Sequence, residues 1–507
     1  MTSISTYTPS SQQKKPKKAG KNRGWISLYV AMILLWMIVL TATVRSWLFG
    51  TEAVVDSLDI TYFTLPALVF NLVFVTTTFV IYLVYFGSYR GAVKHQRQII
   101  SIIAGEDREG DQRDDHQISA PGSTDLVIAK IRKKLALVTI IIPARNEEGV
   151  IAETVSSCLR QTYSNIEVVV VCHNCNDGTF VQASSVPDHR VRAYELNTNE
   201  AGKGIALNYG VQMAKGDYLL VLDGDGRLND TFVDDALPMF ASDHSIAAVQ
   251  GRYIPSNRSY NFITRMLALE GDLWSTPFMT FRNVKTRRTP LGGTGYIVRK
   301  DILTKVGGFA NHLVDDYELT FRLLRENHRI AFAPLCVNYD EKPPTLDIML
   351  KQRARWLRGF FNLLRTRVAE PSDLVGHLYW VNPVTSFTGL AMLLLAAFST
   401  IHYVLFLYYP FHYSYIPLLA WFGLTATTFV MYTAALVMQY GRSGFKHAAW
   451  LPVYLLFSNY YMIVALKALF VKSWADTKTV HGFTTKENVQ GQQSTILQDK
   501  GDQNEQS

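Results

Sequence analysis

Cysteine is scarce in this 507-residue chain: Cys158, Cys172, Cys175 and Cys336 are all there is. Four such residues make no disulfide framework, and a reduced, cytosolic setting for the part that carries them is expected. Charge is sparse too, at 18% of residues against 48% hydrophobic, an apolar balance that makes membrane spans the first thing to look for. No secretory signal opens the protein. Met1 to Gly24 is polar, holds the cluster Lys14-Lys15-Pro16-Lys17-Lys18, and lacks a small-residue cleavage site. No internal repeat is present. The net charge of +8 comes without a continuous basic stripe, because Lys and Arg fall beside apolar runs. That pattern excludes a nucleic-acid partner and favours a membrane surface.

What the sequence has in quantity is long apolar runs. Two of them, Trp25 to Thr43 and Phe63 to Phe86, each approach the roughly 20 residues a membrane helix needs. The basic arm before them, with Arg90, Lys94 and Arg97 after them, sets both flanks in the cytoplasm. Three more runs, Val381 to Leu407, Ile416 to Met438 and Ala448 to Phe470, lie toward the other end with Tyr and Trp at their borders. Arg442 and Lys446 put the loop between the last two inside. Lys467, Lys472 and Lys478 then fall outside, against the positive-inside bias. Either one run is re-entrant, one is split, or the tail is external. The expected division is a basic arm (1–24), two transmembrane helices (25–90), a polar linker (91–134), a catalytic domain (135–345), an amphipathic interface helix (346–370), about three transmembrane helices (378–470) and a polar tail (475–507).

Between the apolar ends the pattern is that of an α/β domain. Leu135 to Ile142, Glu167 to Val171 and Tyr218 to Leu222 read as buried strands, each ending in a polar turn, with helical stretches between them. That alternation predicts a parallel sheet with ligands at the carboxyl ends of its strands. The third strand runs into Asp223-Gly224-Asp225, two carboxylates at i and i+2 that can meet one Mg²⁺ or Mn²⁺. Upstream lies Gly202-Lys203-Gly204, where glycines admit close backbone approach and a lysine can pair with phosphate. Asp315-Asp316, after Gly307-Gly308-Phe309, offers a carboxylate whose proton affinity a neighbouring acid raises, as a general base requires. The same acids equally suit the first turn of a helix. Finally Thr345 to Val368 is basic and amphipathic, and carries Gln352-Arg353-Ala354-Arg355-Trp356. There Arg355 can grip a diphosphate and Trp356 can stack on a sugar ring.

These motifs, in this order, resemble those of the processive family 2 membrane glycosyltransferases, the cellulose, hyaluronan, chitin and poly-N-acetylglucosamine synthases. The resemblance covers roughly residues 135 to 360, and Q-x-x-R-W is its most discriminating element. It implies an α/β GT-A glycosyltransferase domain inserted in a multi-pass α-helical membrane protein, with that domain on the cytoplasmic side of the plasma membrane. By the resemblance, Asp316 is the general base. Pro143, Ala144, Asn146, Glu147, Asp177, Lys203 and Asp223 bind the nucleotide-sugar. Gly293, Thr294, Gln352, Arg355 and Trp356 hold the acceptor and diphosphate. Asp225 and Asp223 bind a divalent cation, Mg²⁺ or Mn²⁺. The implied partners are a UDP-sugar, a growing polysaccharide, membrane lipids and an accessory subunit.

The chain departs from the family in two places. Asp315 stands where a Glu is usual, which leaves the base intact. His173 stands where an Asp usually touches the nucleotide, within Cys172-His173-Asn174-Cys175. No second ligand pair accompanies those cysteines, so reduced thiols in a nucleotide-binding turn are a plainer account than zinc. No F-x-V-T-x-K motif follows the Q-x-x-R-W element, and the tail is too short for a cyclic-di-GMP-binding barrel. A single-addition transferase acting on a membrane lipid, a transporter with a soluble domain and an idle scaffold are the rival readings. Nearly charge-free spans and the intact acids weigh against the last two.

Overall fold

The computed structural model describes residues 82, 84–101, 136–366 and 416–471. The basic arm, the runs Trp25 to Thr43 and Val381 to Leu407 and the polar tail lie outside the described residues, as does most of Phe63 to Phe86. A helix covers 84–101 and continues into the first residues of the stretch read as a linker.

The central domain is built on one eight-stranded sheet of order β3-β2-β1-β4-β7-β6-β8-β5. Its strands are β1 (Val138–Ala144), β2 (Ile166–His173), β3 (Val191–Leu196), β4 (Tyr218–Val221), β5 (Arg227–Leu228), β6 (Ile246–Pro255), β7 (Tyr296–Arg299) and β8 (Arg329–Asp340). The helices between them are α1 (Ile151–Leu159), α2 (Thr179–Ser184), α3 (Lys203–Met213), α4 (Phe232–Ser242), α5 (Phe262–Glu270), α6 (Thr276–Phe281), α7 (Lys300–Lys305) and α8 (Asp315–Arg325). Beyond the sheet come α9 (Leu346–Arg365), α10 (Ile416–Tyr440), α11 (Gly444–Ala448), α12 (Leu451–Phe457) and α13 (Tyr461–Ala468).

Helices cover both faces of the sheet, so β1 and β2 are buried along their length and read as continuous apolar runs. Alternation still sorts their side chains. Val138, Ile140 and Ile142 of β1 join Val168 and Val170 in one core. Ile141 turns to the other, with Leu219, Val221, Val298 and Leu319. Pro143 is tolerated within β1 because β4 pairs only as far as Ile141, leaving the strand end flanked by β2 alone.

The expected parallel sheet is only half right. β3, β2, β1 and β4 are parallel, but β7 runs antiparallel to both its neighbours, β4 and β6. The cause is the connection that feeds it: after the helical rod from Phe262 to Thr286, Arg287 pairs with Asp243 before β6 and Arg288 bridges Ile330 at the start of β8, and residues 288–292 then run back to the end of the sheet where β4 stops. β7 therefore starts where β4 stops, with Tyr296 opposite Val221. The preceding Gly292-Gly293-Thr294-Gly295 turn is thereby laid beside Asp223. A parallel strand would have put it at the far end.

That rod is α-helical with two π-helical turns, Gly271–Ser275 and Arg282–Thr286. Pro277 stands at the start of α6 and has no N–H for the carbonyls one turn back. Side chains from elsewhere take those carbonyls: Tyr82 Oη donates to Leu273 O at 2.5 Å and Gln439 Nε2 to Asp272 O at 2.9 Å. The rod thereby docks onto α10 and the N-terminal helix, over a cluster holding Tyr85, Met266, Leu269, Met431, Tyr432 and Leu451.

The run Ile416 to Met438 is the helix α10. The run Ala448 to Phe470 is broken by a 3-10 turn, Ser458–Tyr460, between α12 and α13. Among the described residues one stretch, Leu451–Ala468, is long and apolar enough to cross a membrane, with mean hydropathy 1.3. Its outer side exposes Leu456, Ile463, Leu466 and, just beyond, Phe470. Its inner side packs Val464 and Ala468 against Leu350 and Leu357 of α9.

Candidate active site

Three strand ends and two helix starts converge. β1 leads into Asn146, whose left-handed backbone (φ 54°) suits an asparagine. Asn146 Oδ1 accepts the Asn176 N–H at 2.8 Å, which ties the turn after β1 to the turn after β2. Asp177 closes the same contact, accepting the Glu148 N–H at 3.3 Å and the Thr179 N–H at 3.1 Å. Glu147 is buried, its N–H given to Thr179 Oγ1 at 2.7 Å and its side chain against Gly224. Pro143 and Ala144 form the last turn of β1, so the predicted nucleotide-binding residues Pro143, Ala144, Asn146, Glu147 and Asp177 lie together.

The turn after β4 faces them. Lys203, the first residue of α3, reaches across to Asp223 Oδ1 at 2.5 Å and to Gly293 O at 2.7 Å. Its side chain is 12% exposed and that of Asp223 38%. Burial works against the lysine charge, but Asp223, Asp315 and Asp316 outweigh it and hold the ammonium above its usual pKa. Burial also raises Asp223; Lys203 opposes that rise and Asp225 adds to it. The Asp223 N–H donates to Thr294 Oγ1 at 2.9 Å.

Asp316 lies on the other side of Gly293. That glycine adopts φ +86°, and a β-carbon built on it would come 3.3 Å from Asp316 Oδ2. Burial, then the neighbouring Asp315, pushes the Asp316 carboxyl up to about 7, against the pull of the Tyr317 N–H, Lys203 and Arg355. The helical reading of these acids holds, since Asp315 and Asp316 open α8. Asp315 is itself buried, with Oδ2 accepting no hydrogen bond.

The motif helix α9 supplies the back of the site. Thr345 caps it, accepting from the Ile348 N–H. Arg355 donates to Leu313 O at 2.8 Å and feels Asp315, Asp316 and Asp223, although burial lowers its pKa. Trp356 is half-buried and packs on the same small cluster as Tyr317, the residue after Asp316. Gln352 is half-buried on that helix.

Asp223 and Asp225 present oxygen donors on one turn, which suits a hard divalent cation that keeps water and takes phosphate oxygens as further ligands. Among the described residues, no three His, Cys, Asp or Glu side chains gather to enclose an ion without that help. Cys172 and Cys175 share a hydrogen bond that lowers Cys175 to about 6 and raises Cys172. Both are free thiols, and Cys175 also leans on Ala144 O at 3.6 Å. His173 is buried, and burial lowers its pKa; its Nε2 meets Thr198 Oγ1 at 2.8 Å.

Sequence reasoning missed the residues that brace these groups. Asn208 exchanges two hydrogen bonds with the Phe309 backbone, at 2.7 and 2.8 Å, and so locks α3 to the loop before α8. Gln250 receives the Gly292 N–H at 2.9 Å and donates to the carbonyls of Thr294 and Gly295, shaping the glycine turn. Tyr253 Oη donates to Thr294 O at 3.0 Å. Asn208 lies on α3 just beyond the Gly202-Lys203-Gly204 element, which is the signal that could have found it; Gln250 and Tyr253 sit inside β6, where nothing in the pattern marks them.

Fold and site together define a GT-A glycosyltransferase domain. Residues 136–359 match the family model described as "Glycosyltransferase like family 2". Over 365 residues the chain is 26% identical to a protein described as probable glycosyltransferase YdaM of Bacillus subtilis, covering 67% of this chain and 84% of that one. It is 28% identical over 238 residues to the beta-monoglucosyldiacylglycerol synthase of a Nostoc species, covering 45% of this chain and 50% of that one. Over 244 residues it is 24% identical to the poly-beta-1,6-N-acetyl-D-glucosamine synthase of Staphylococcus aureus, covering 45% and 58%. The match thus spans only about half the length of the last two. A solved mannosyltransferase from Pyrobaculum calidifontis, in complex with GDP-Man and Mn²⁺, superposes with a TM-score of 0.46 at 18% identity, covering 80% of this chain and 99% of that one.

Proposed function

We propose that the chain is a processive, inverting glycosyltransferase that builds a β-linked polysaccharide from UDP-glucose or UDP-N-acetylglucosamine at the cytoplasmic face of a plasma membrane. The observation that carries this reading is Asp316, a half-buried carboxylate whose pKa is pushed up to about 7, one glycine away from the Lys203–Asp223 pair. A base so poised takes the proton of an acceptor hydroxyl. The oxygen attacks the anomeric carbon in line, the bond from that carbon to the diphosphate breaks, and UDP departs. An α-linked donor gives a β-linked product.

Lys203 and Arg355, on two sides of the carboxylates, stabilise the charge that develops on the departing diphosphate. Pro143, Ala144, Asn146, Glu147 and Asp177 hold the nucleotide, and Gly293, Thr294, Gln352 and Trp356 the acceptor end. Asp225 with Asp223 would hold Mg²⁺ or Mn²⁺, which when bound neutralises the diphosphate. The apolar outer side of α12 and α13 supports contact with lipid, and the remaining apolar runs support a multi-pass arrangement that conducts the polymer outward. An accessory subunit is a further expected partner.

A second reading, addition of one sugar to a membrane lipid, draws support from the relative described as a beta-monoglucosyldiacylglycerol synthase. Purified protein in lipid, given Mg²⁺ or Mn²⁺ and each radiolabelled UDP-sugar in turn, separates the two. High-molecular-weight product, digestible by a linkage-specific hydrolase, supports the polymerase; product confined to one or two sugars on lipid overturns processivity. Full-rate polymer from an Asp316→Asn protein that still binds UDP would remove the assigned base.

A further inference from the structure

The motif helix α9 has a second working side. Arg355 turns toward the carboxylates, whereas Arg353 turns away, and only 5% of it is exposed. Its Nη2 lies 2.7 Å from Glu270 Oε1, and its guanidinium carbon sits 4.3 Å from the centroid of the Trp356 ring. Glu270, equally buried, is the last residue of α5, where the rod passes into its first π-helical turn. Its carboxylate also accepts the hydroxyls of Tyr460 and, at 3.4 Å, Tyr461. Those two rings stack at 4.4 Å at the start of α13. One buried anion thus holds the motif helix and the C-terminal helix to the catalytic domain.

A buried ion pair is poor evidence of stability, because removing both charges from water offsets their attraction. What such a pair does supply is fixed geometry. Glu270 sets the place of the guanidinium, and the guanidinium sets the plane of Trp356 by lying over its face. Trp356 and Tyr317 pack on one cluster of Val314, Phe321, Phe360 and Leu363, so that plane is set relative to the start of α8, where Asp316 sits. We propose that Glu270 is a positioning residue: through Arg353 it orients Trp356 toward the acceptor sugar and couples that ring to α13. The proposal rests on the reading of Trp356 as part of the acceptor site.

Asp272, two residues along the same rod, supplies the control. It too is buried, pairs with an arginine (Arg258, 2.7 Å) and accepts a tyrosine hydroxyl (Tyr440, 2.6 Å), but its partners lie outside α9. The full-length protein in lipid would be compared as wild type, Glu270→Gln, Asp272→Asn and the double variant Glu270→Gln with Arg353→Met. Two readouts are taken, steady-state kinetics with a soluble oligosaccharide acceptor and hydrogen exchange over 346–365.

Glu270→Gln is expected to raise the acceptor KM roughly ten- to a hundredfold, with the donor KM unchanged and exchange across α9 faster. Asp272→Asn lowers thermal stability without that KM change. The double variant, having no stranded charge, regains stability but keeps the raised acceptor KM. An unchanged acceptor KM in Glu270→Gln, an equal rise in Asp272→Asn, or a restored KM in the double variant overturns the proposal. If the wild type transfers sugar from no donor, the proposed function fails and the exchange data decide alone. Faster exchange in Glu270→Gln but not in Asp272→Asn then supports the coupling, and equal exchange overturns it.

Discussion

Asp316 owes its character to burial and four neighbours of unequal effect. Burial and Asp315 favour the protonated acid, while Lys203, Arg355 and the Tyr317 N–H favour the anion, and the carboxyl is left at about 7. An ordinary aspartate titrates near 3.9. The proposed base would be active only when deprotonated, so kcat/KM should fall tenfold per unit as pH drops below about 7 and level off above it. Asp315→Asn removes the neighbouring charge and should move that limb to lower pH. Both profiles can be read from UDP release. Asp316→Asn should cost on the order of 10²- to 10⁴-fold in turnover with UDP binding retained, measured by the same assay and by calorimetry.

The glycine turn before β7 is the element on which the site depends most. Gly293 is left-handed and abuts Asp316, while its carbonyl accepts from Lys203. Gly293→Ala should therefore lose roughly 1–2 kcal/mol of stability from backbone strain and reduce turnover more than it changes UDP affinity, checked by thermal melts and kinetics. Most elements at the site were legible in advance, because β1, β2 and β4 are apolar runs that each stop at a polar turn. Their ends were not: β1 begins at Val138 and carries through Pro143, past the predicted stop, because β2 continues to pair with it there. The direction of β7 was illegible as well. Four residues, Tyr296 to Arg299, look the same read in either sense. Their orientation is decided by residues 288–292, which run back from Ile330 to Gln250 after the rod from Phe262 to Thr286, and the rod itself docks through carbonyls claimed by Tyr82 and Gln439. No local pattern records such long-range partners.

The catalytic domain does not close on itself. Leu267, Met349, Leu350 and Leu357 are buried only because α13 and the stretch before it cover them. Leu269 and Leu273 are buried in the same way by α10, α12 and the N-terminal helix. A fragment limited to 136–366 should expose this surface and aggregate or require detergent, as size-exclusion chromatography would show. A monodisperse fragment in plain buffer would mean that the catalytic domain folds independently of its helical surround.

The contact between Lys203 and Asp223 also has a consequence for the order in which the enzyme is loaded. The ammonium occupies one oxygen of the carboxylate proposed to hold the cation, and a stronger anion would draw it away. A nucleotide diphosphate is such an anion, so under the proposed function lysine and donor would work as an interlock that keeps cation affinity low until the donor arrives. Titration calorimetry should find Mn²⁺ binding weak alone and strengthened by UDP, with Lys203→Met erasing most of that cooperativity. An enzyme built this way avoids holding an armed metal against water between turnovers, and its idle state is protected by the same residue that serves the leaving group.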